Sequence, residues 1–159
     1  MRRFHALPPF LALFALACLL SACGPVKRVS EPAASLQQVA IGTDGSWKVQ
    51  LRLQNYSSMP MRFDTVSLAV QAAGQAAGTL QASPGISIGP GAADVVDVEF
   101  RPSPEARMAA AGALAGGSAL QYSLHGSIAV TPEGRKPRSF DIDARNILNP
   151  APGLDGVLR

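Results

Sequence analysis

Alternation of apolar and polar residues with a period of two is the feature that most narrows the folds open to this chain. Trp47, Val49, Leu51 and Leu53 alternate with Lys48, Gln50, Arg52 and Gln54. A helix would scatter those apolar side chains around its circumference, whereas a strand puts them on one face. The pattern returns in Leu120, Tyr122, Leu124, Gly126, Ile128 and Val130, in Val96, Val98 and Phe100, and in Phe140, Ile142 and Ala144. Val66, Leu68 and Val70 share one parity and Phe63 falls on the other. A bulge near Asp64 and Thr65 is expected to return Phe63 to the core face. Turn-forming clusters separate the runs: Gly42 to Gly45 after Leu36–Ile41, Asn55 to Pro60, Gly74, Gly89-Pro90-Gly91, and the tip Pro132-Glu133-Gly134. Strands with one apolar face each imply a mainly β fold, an antiparallel two-sheet β-sandwich of the immunoglobulin/fibronectin-III kind, with one short helix. That helix starts at Ser103 as N-cap, with Pro104 and the acid Glu105 in its first turn, and stops at Gly116-Gly117. Met108 and Leu114 are its few large apolar residues, so it is expected to lie across an end of the sandwich.

The start of the chain has a different grammar. Arg2 and Arg3 precede an apolar run from Phe10 to Leu20, followed by Ser21, Ala22 and Cys23. That order is a secretory signal. Leu20-Ser21-Ala22-Cys23 resembles the lipobox of bacterial lipoproteins, which implies cleavage by signal peptidase II between Ala22 and Cys23 and acylation of the Cys23 thiol. The partner so implied is a membrane, reached through acyl chains on Cys23. Gly24 replaces the aspartate that retains such proteins at the inner membrane, so the resemblance implies the outer membrane of the cell envelope, periplasmic face. The chain then divides into a signal peptide (1–22), the lipidated cysteine with a tether (23–31), a sandwich domain (32–153) and a C-terminal tail (154–159). Extended, the tether from Gly24 to Glu31 would span about 25 Å.

Loss of the signal changes two quantities. The whole chain carries 14 basic and 11 acidic side chains. Removing Arg2 and Arg3 leaves a nearly balanced domain, which gives no electrostatic case for nucleic acid. The two cysteines are Cys18 and Cys23. One leaves with the signal and the other is modified, so the domain is expected to stand without a disulfide in an oxidising compartment.

Several short patterns, in order, resemble the late-embryogenesis-abundant type 2 domain, also called WHy (water stress and hypersensitive response). They are Asn55 at a strand end with Pro60 beyond it; Gly74-Gln75-Ala76-Ala77-Gly78; Ile86-Ser87-Ile88-Gly89-Pro90; Tyr122-Ser123-Leu124-His125-Gly126; and Pro152-Gly153. The resemblance covers Glu31 to Gly153. It departs from the family at Tyr56, where proline usually follows the asparagine. Asn55 can still bond its own neighbouring backbone and shape the turn. The resemblance implies a small β-sandwich with one helix and a part in desiccation and other stresses.

Chemical groups are few. His125 falls on the polar face of its strand and reads as a surface histidine. A structural zinc site needs about four His or Cys ligands, more than the domain supplies. Asp94, Asp97 and Glu99 cluster, as do Asp141 and Asp143. They read as solvated strand faces, or as a hard-cation site if the two strands were neighbours. Lys27 and Arg28 in the tether, and Arg135, Lys136 and Arg138 at a hairpin tip, read as solvated charges or as contacts for lipid headgroups. Trp47 and Tyr122 read as core anchors. The expectation is a non-enzymatic, membrane-anchored envelope lipoprotein that protects proteins or membrane by surface contact during water stress. No cofactor, metal or nucleic acid is expected; envelope proteins are the clients. The alternative is an envelope binding lipoprotein that docks a protein partner or holds an apolar ligand between its sheets, ringed by Trp47, Leu51, Tyr122 and Leu124.

Overall fold

The structure, a computed structural model, describes residues 27–159. Its strands are β1 (Ala33–Ile41), β2 (Trp47–Gln54), β3 (Met61–Ala72), β4 (Gln75–Ala82), β5 (Ile86–Ile88), β6 (Ala93–Phe100), β7 (Leu120–Pro132), β8 (Arg138–Leu148) and β9 (Val157–Leu158), with helix α1 (Pro104–Gly116) between β6 and β7. Two antiparallel sheets face each other. One has the order β6-β2-β1-β9; the other has β4-β3-β7-β8, with β5 also paired to β3. The expected two-sheet sandwich with one helix is the observed fold. β4 and β5 are two pieces of one edge: β4 pairs with Val66–Ala72 of β3 and β5 with Met61–Phe63.

The alternation accounts for the core. Trp47, Val49, Leu51 and Leu53 are buried from one sheet, and Leu68, Leu124, Ile128 and Val130 from the other. The β3–β7 register slips between Phe63 and Thr65, and Phe63 is fully buried. This is the bulge required by the parity change. Trp47 and Phe100 sit opposite each other on β2 and β6, their rings 6.0 Å apart and inclined at 59°. An inclined aromatic pair adds about 1 kcal/mol to the burial itself.

Helix α1 is capped as its sequence requires. Ser103 Oγ accepts from the Ala106 amide, and Gly117 takes the left-handed conformation at the C-terminus. Ser103 also binds β4, donating from its amide to Ala77 O and from its hydroxyl to Ala76 O. The packed face is made of Ala106, Ala110 and Ala113, while Met108 is 75% exposed. Met108 therefore does not anchor the helix. Small alanines bring the helix backbone close to the sandwich, and Met108 falls on the outer side.

Two boundaries read from sequence change. The tail 154–159 contains β9, which pairs with β1 through Val39–Leu158 and buries Leu158 completely. The segment read as a tether is held on the domain from Arg28 onward, because its backbone finds partners in the β2–β3 loop. Every residue of the core cluster and its packed surround lies between Val29 and Leu158.

Gly126 and Gly74 make different demands. A Cβ on Gly126 would run into the Ser67 carbonyl oxygen and sit 3.1 Å from Leu68 Cα, both on neighbouring β3. At Gly74, φ is +77° and the space around is open. Gly126→Ala is expected to cost more than about 3 kcal/mol, because backbone must move. Gly74→Ala should cost about 1 kcal/mol, the ordinary left-handed penalty. Urea unfolding of the two variants measures the difference.

Candidate functional site

The polar construction of the molecule concentrates at one end of the sandwich, around Asn55 and Ser57. Asn55 directly follows β2 and is fully buried. Its amide nitrogen donates to Met59 O at 2.9 Å, Ile88 O at 2.9 Å and Gly89 O at 3.0 Å. Its side-chain oxygen accepts from the Ser57 amide at 2.8 Å. This is an Asx turn, formed without the proline usual at the next position. Tyr56, standing there, is 57% exposed. The Asn55 backbone amide donates to Ala92 O. One side chain thus joins the β2–β3 loop to β5 and to the turn Gly89–Ala92, in which Pro90 and Gly91 (φ +65°) occupy the central positions.

Ser57 and Ser58 extend this hub to the N-terminal segment. Ser57 Oγ accepts from the Ser30 amide at 2.9 Å. Ser58 Oγ accepts from the Arg28 amide at 2.7 Å, and the Ser58 amide donates to Arg28 O at 3.0 Å. The β7–β8 hairpin closes the same end: the Glu133 amide donates to Pro60 O, and Arg135 Nη2 donates to Lys27 O at 3.1 Å. The structure therefore brings together two basic groups that the sequence keeps apart, Lys27 and Arg28 with Arg135, Lys136 and Arg138. All five residues are exposed.

The other candidates are dispersed. β6 lies at the edge of one sheet and β8 at the edge of the other, so Asp94, Asp97 and Glu99 do not meet Asp141 and Asp143. The neighbour condition for a shared cation site fails because the strands pair with β2 and β7 instead. No group of three or more metal-ligating side chains occurs among the described residues. His125 Nδ1 lies 3.3 Å from Asp143 Oδ1 across the β7–β8 ladder. It borders a solvent-open depression of about 550 Å³, lined mainly by polar residues such as Gln71, Gln121, Ser123 and Arg145. Trp47, Leu51, Tyr122 and Leu124 belong to the contiguous core; of the four, Tyr122 reaches this outer depression.

Tyr122 has a role that alternation alone did not reveal. From β7 its hydroxyl crosses to β1 of the facing sheet, accepting from the Leu36 amide at 3.0 Å and donating to Leu36 O at 3.4 Å. β1 is bulged there, between Leu36 and Gln38. The phenol satisfies both backbone groups of Leu36, the residue just before that bulge. Burial pushes the phenol pKa above its ordinary value of 10.0, although the Leu36 hydrogen bond pulls the other way.

The remaining motif residues are structural. Gly74 forms the two-residue β3–β4 turn with Ala73, both at positive φ. Gly78 follows the slip in that ladder, and a Cβ there would sit 3.4 Å from the Phe100 ring. Ala22 and Cys23 lie outside the described residues. Among the described residues, no helix is long and apolar enough to cross a membrane.

Residues 50–145 match the late embryogenesis abundant protein family LEA_2. No curated protein matches the chain. A solution structure described as that of a late embryogenesis abundant (LEA) protein is 12% identical, with a TM-score of 0.48, covering 91% of this chain and 82% of its own. A protein from Archaeoglobus fulgidus is 11% identical, with a TM-score of 0.44, over 78% of this chain and 98% of its own. A protein from Arabidopsis thaliana is 14% identical, with a TM-score of 0.46, over 83% and 85%.

Two variants test the polar framework. Asn55→Ala leaves three carbonyls and the Ser57 amide without their partner and should cost about 2–4 kcal/mol. Asn55→Asp should be worse at neutral pH, because a buried carboxylate would face carbonyl oxygens. Its deficit should shrink as acid protonates it, a difference that urea titration across pH reads. Tyr122 follows the same sign at higher pH. A raised folded pKa means the unfolded chain ionises first, so the phenol's contribution is intact below about pH 10 and is lost as pH rises through the folded value. The stability gap between wild type and Tyr122→Phe should therefore narrow above about pH 10.

Proposed function

The chain belongs to the late embryogenesis abundant family LEA_2, and from that membership we propose that it is a non-enzymatic protective module held at a bacterial envelope membrane by acyl chains on Cys23. The family match carries this reading, because it gives the domain a stress-related role. Supporting it, the domain has His125 as its one histidine, and that residue sits on the solvent-facing side of a sheet. Protection is by contact. A stable sandwich with a charge-balanced surface occupies the space around a client protein or lipid surface and keeps partners apart as water is lost.

Leu20-Ser21-Ala22-Cys23, behind an apolar run and two arginines, supports the anchor. Two or three acyl chains, at about 0.8 kcal/mol per buried CH₂, hold a protein far more firmly than one. The location that follows is the periplasmic face of the outer membrane.

Each half has its own test. A labile enzyme dried with residues 24–159 should recover more activity than with an equal mass of an inert protein; equal recovery would overturn the protective role. In a bacterial host, a palmitate analogue should label the full chain and not Cys23→Ala. Label retained by that variant would remove Cys23 as the acylation site.

A further inference from the structure

We propose that the end of the sandwich built from residues 27–30, the β2–β3 loop and the β7–β8 hairpin is a docking face for the phosphates of an anionic phospholipid bilayer. The inference rests on the Cys23 anchor proposed above and adds an orientation to it. Three separate observations converge on this end. The first is charge. Arg135 clasps the Lys27 carbonyl, so cations 108 residues apart in the chain share one surface. Lys27, Arg28, Arg135, Lys136 and Arg138 are exposed there. Glu31 and Glu133 are the exposed acids beside them. Asp64 is engaged by Arg62 at 3.3 Å and by Thr131 at 2.7 Å, which leaves the cations in excess.

The second observation is Tyr56. It is 57% exposed and stands on the same loop that binds Arg28. Tyrosine is favoured at headgroup depth because its ring is apolar and its hydroxyl is wet. An exposed aromatic among lysines and arginines is the composition of an interfacial contact. The third observation is reach. Four residue steps lead from Cys23 to Lys27, at most about 14 Å of extended chain. The backbone of Arg28 and Ser30 is fixed to Ser58 and Ser57. An acylated Cys23 would therefore hold this end, and not the helix end, against the bilayer.

Each basic side chain near an anionic surface contributes about 1 kcal/mol, roughly a fivefold change in partition. The test is co-sedimentation of residues 24–159, which contain the whole core, with phosphatidylglycerol or phosphatidylcholine vesicles at low salt. The protein should sediment with phosphatidylglycerol only. The combined variant Lys27→Glu, Lys136→Glu, Arg138→Glu should bind at least about tenfold more weakly. Arg101→Glu with Arg107→Glu, reversing two charges at the helix end, should bind as wild type does. Tyr56→Ser should weaken binding several-fold without shifting the urea midpoint. Equal binding by the two charge variants, or no binding of the folded wild type to phosphatidylglycerol, overturns the inference. The anchor is tested apart, since this fragment lacks Cys23. Binding without acylation in the host would keep the headgroup contact and remove the anchor; acylation without binding would do the reverse.

Discussion

A carboxamide with no exposed surface must find hydrogen-bond partners on both its nitrogen and its oxygen, or the fold carries the cost of stripping them of water. Asn55 finds four, three carbonyls and one amide, each from a different residue. Those residues lie on both sides of the junction between the sheets. Met59 leads into β3, Ile88 ends β5, and Gly89 opens the turn that carries the chain back to β6. The loop that Asn55 fixes presents Ser57 and Ser58 to the segment at residues 28–30. The seating of residues 27–30 at the basic end thus depends on one buried amide.

Elsewhere the two sheets are joined mostly by apolar contact, with Tyr122 as a polar crossing. Its hydroxyl serves the Leu36 backbone beside the β1 bulge. The described residues contain no cysteine, and cohesion rests on packing and on these buried polar contacts. The helix fits the same economy: alanines let it lie close, and Ser103 ties its start to β4.

Most of the strands were legible because alternation is a local signal, and local spacing is all a single sequence displays. Even the Phe63 bulge could be inferred, since a parity change inside one run has few other causes. The helix was legible from Ser103, Pro104 and Gly117, yet its packed face was not, because Met108 is large and apolar but falls on the wrong side. β9 escaped notice because two residues, Val157 and Leu158, are too few to show a period. The extra residue at Gln37 hid the full length of β1. The site was harder still. Nothing local links Lys27 to Arg135, or Leu36 to Tyr122; those contacts exist only once the sheets have formed. Asn55 itself was marked by the family pattern, while its three carbonyl partners were not.

The proposed orientation of the domain on a membrane follows from this geometry. Roughly 40 Å of strand, the 13 residues of β7, separates the basic end from the helix end. The most direct measurement is paramagnetic broadening of backbone amides in the full acylated protein, embedded in a bilayer that carries a spin label on its headgroups. Amides of residues 27–31, 56–58 and 133–138 should broaden strongly, while those of α1 and of Gly42–Ser46 should stay sharp. Broadening centred on α1, or spread evenly over the surface, would contradict a domain that stands on its Asn55 end.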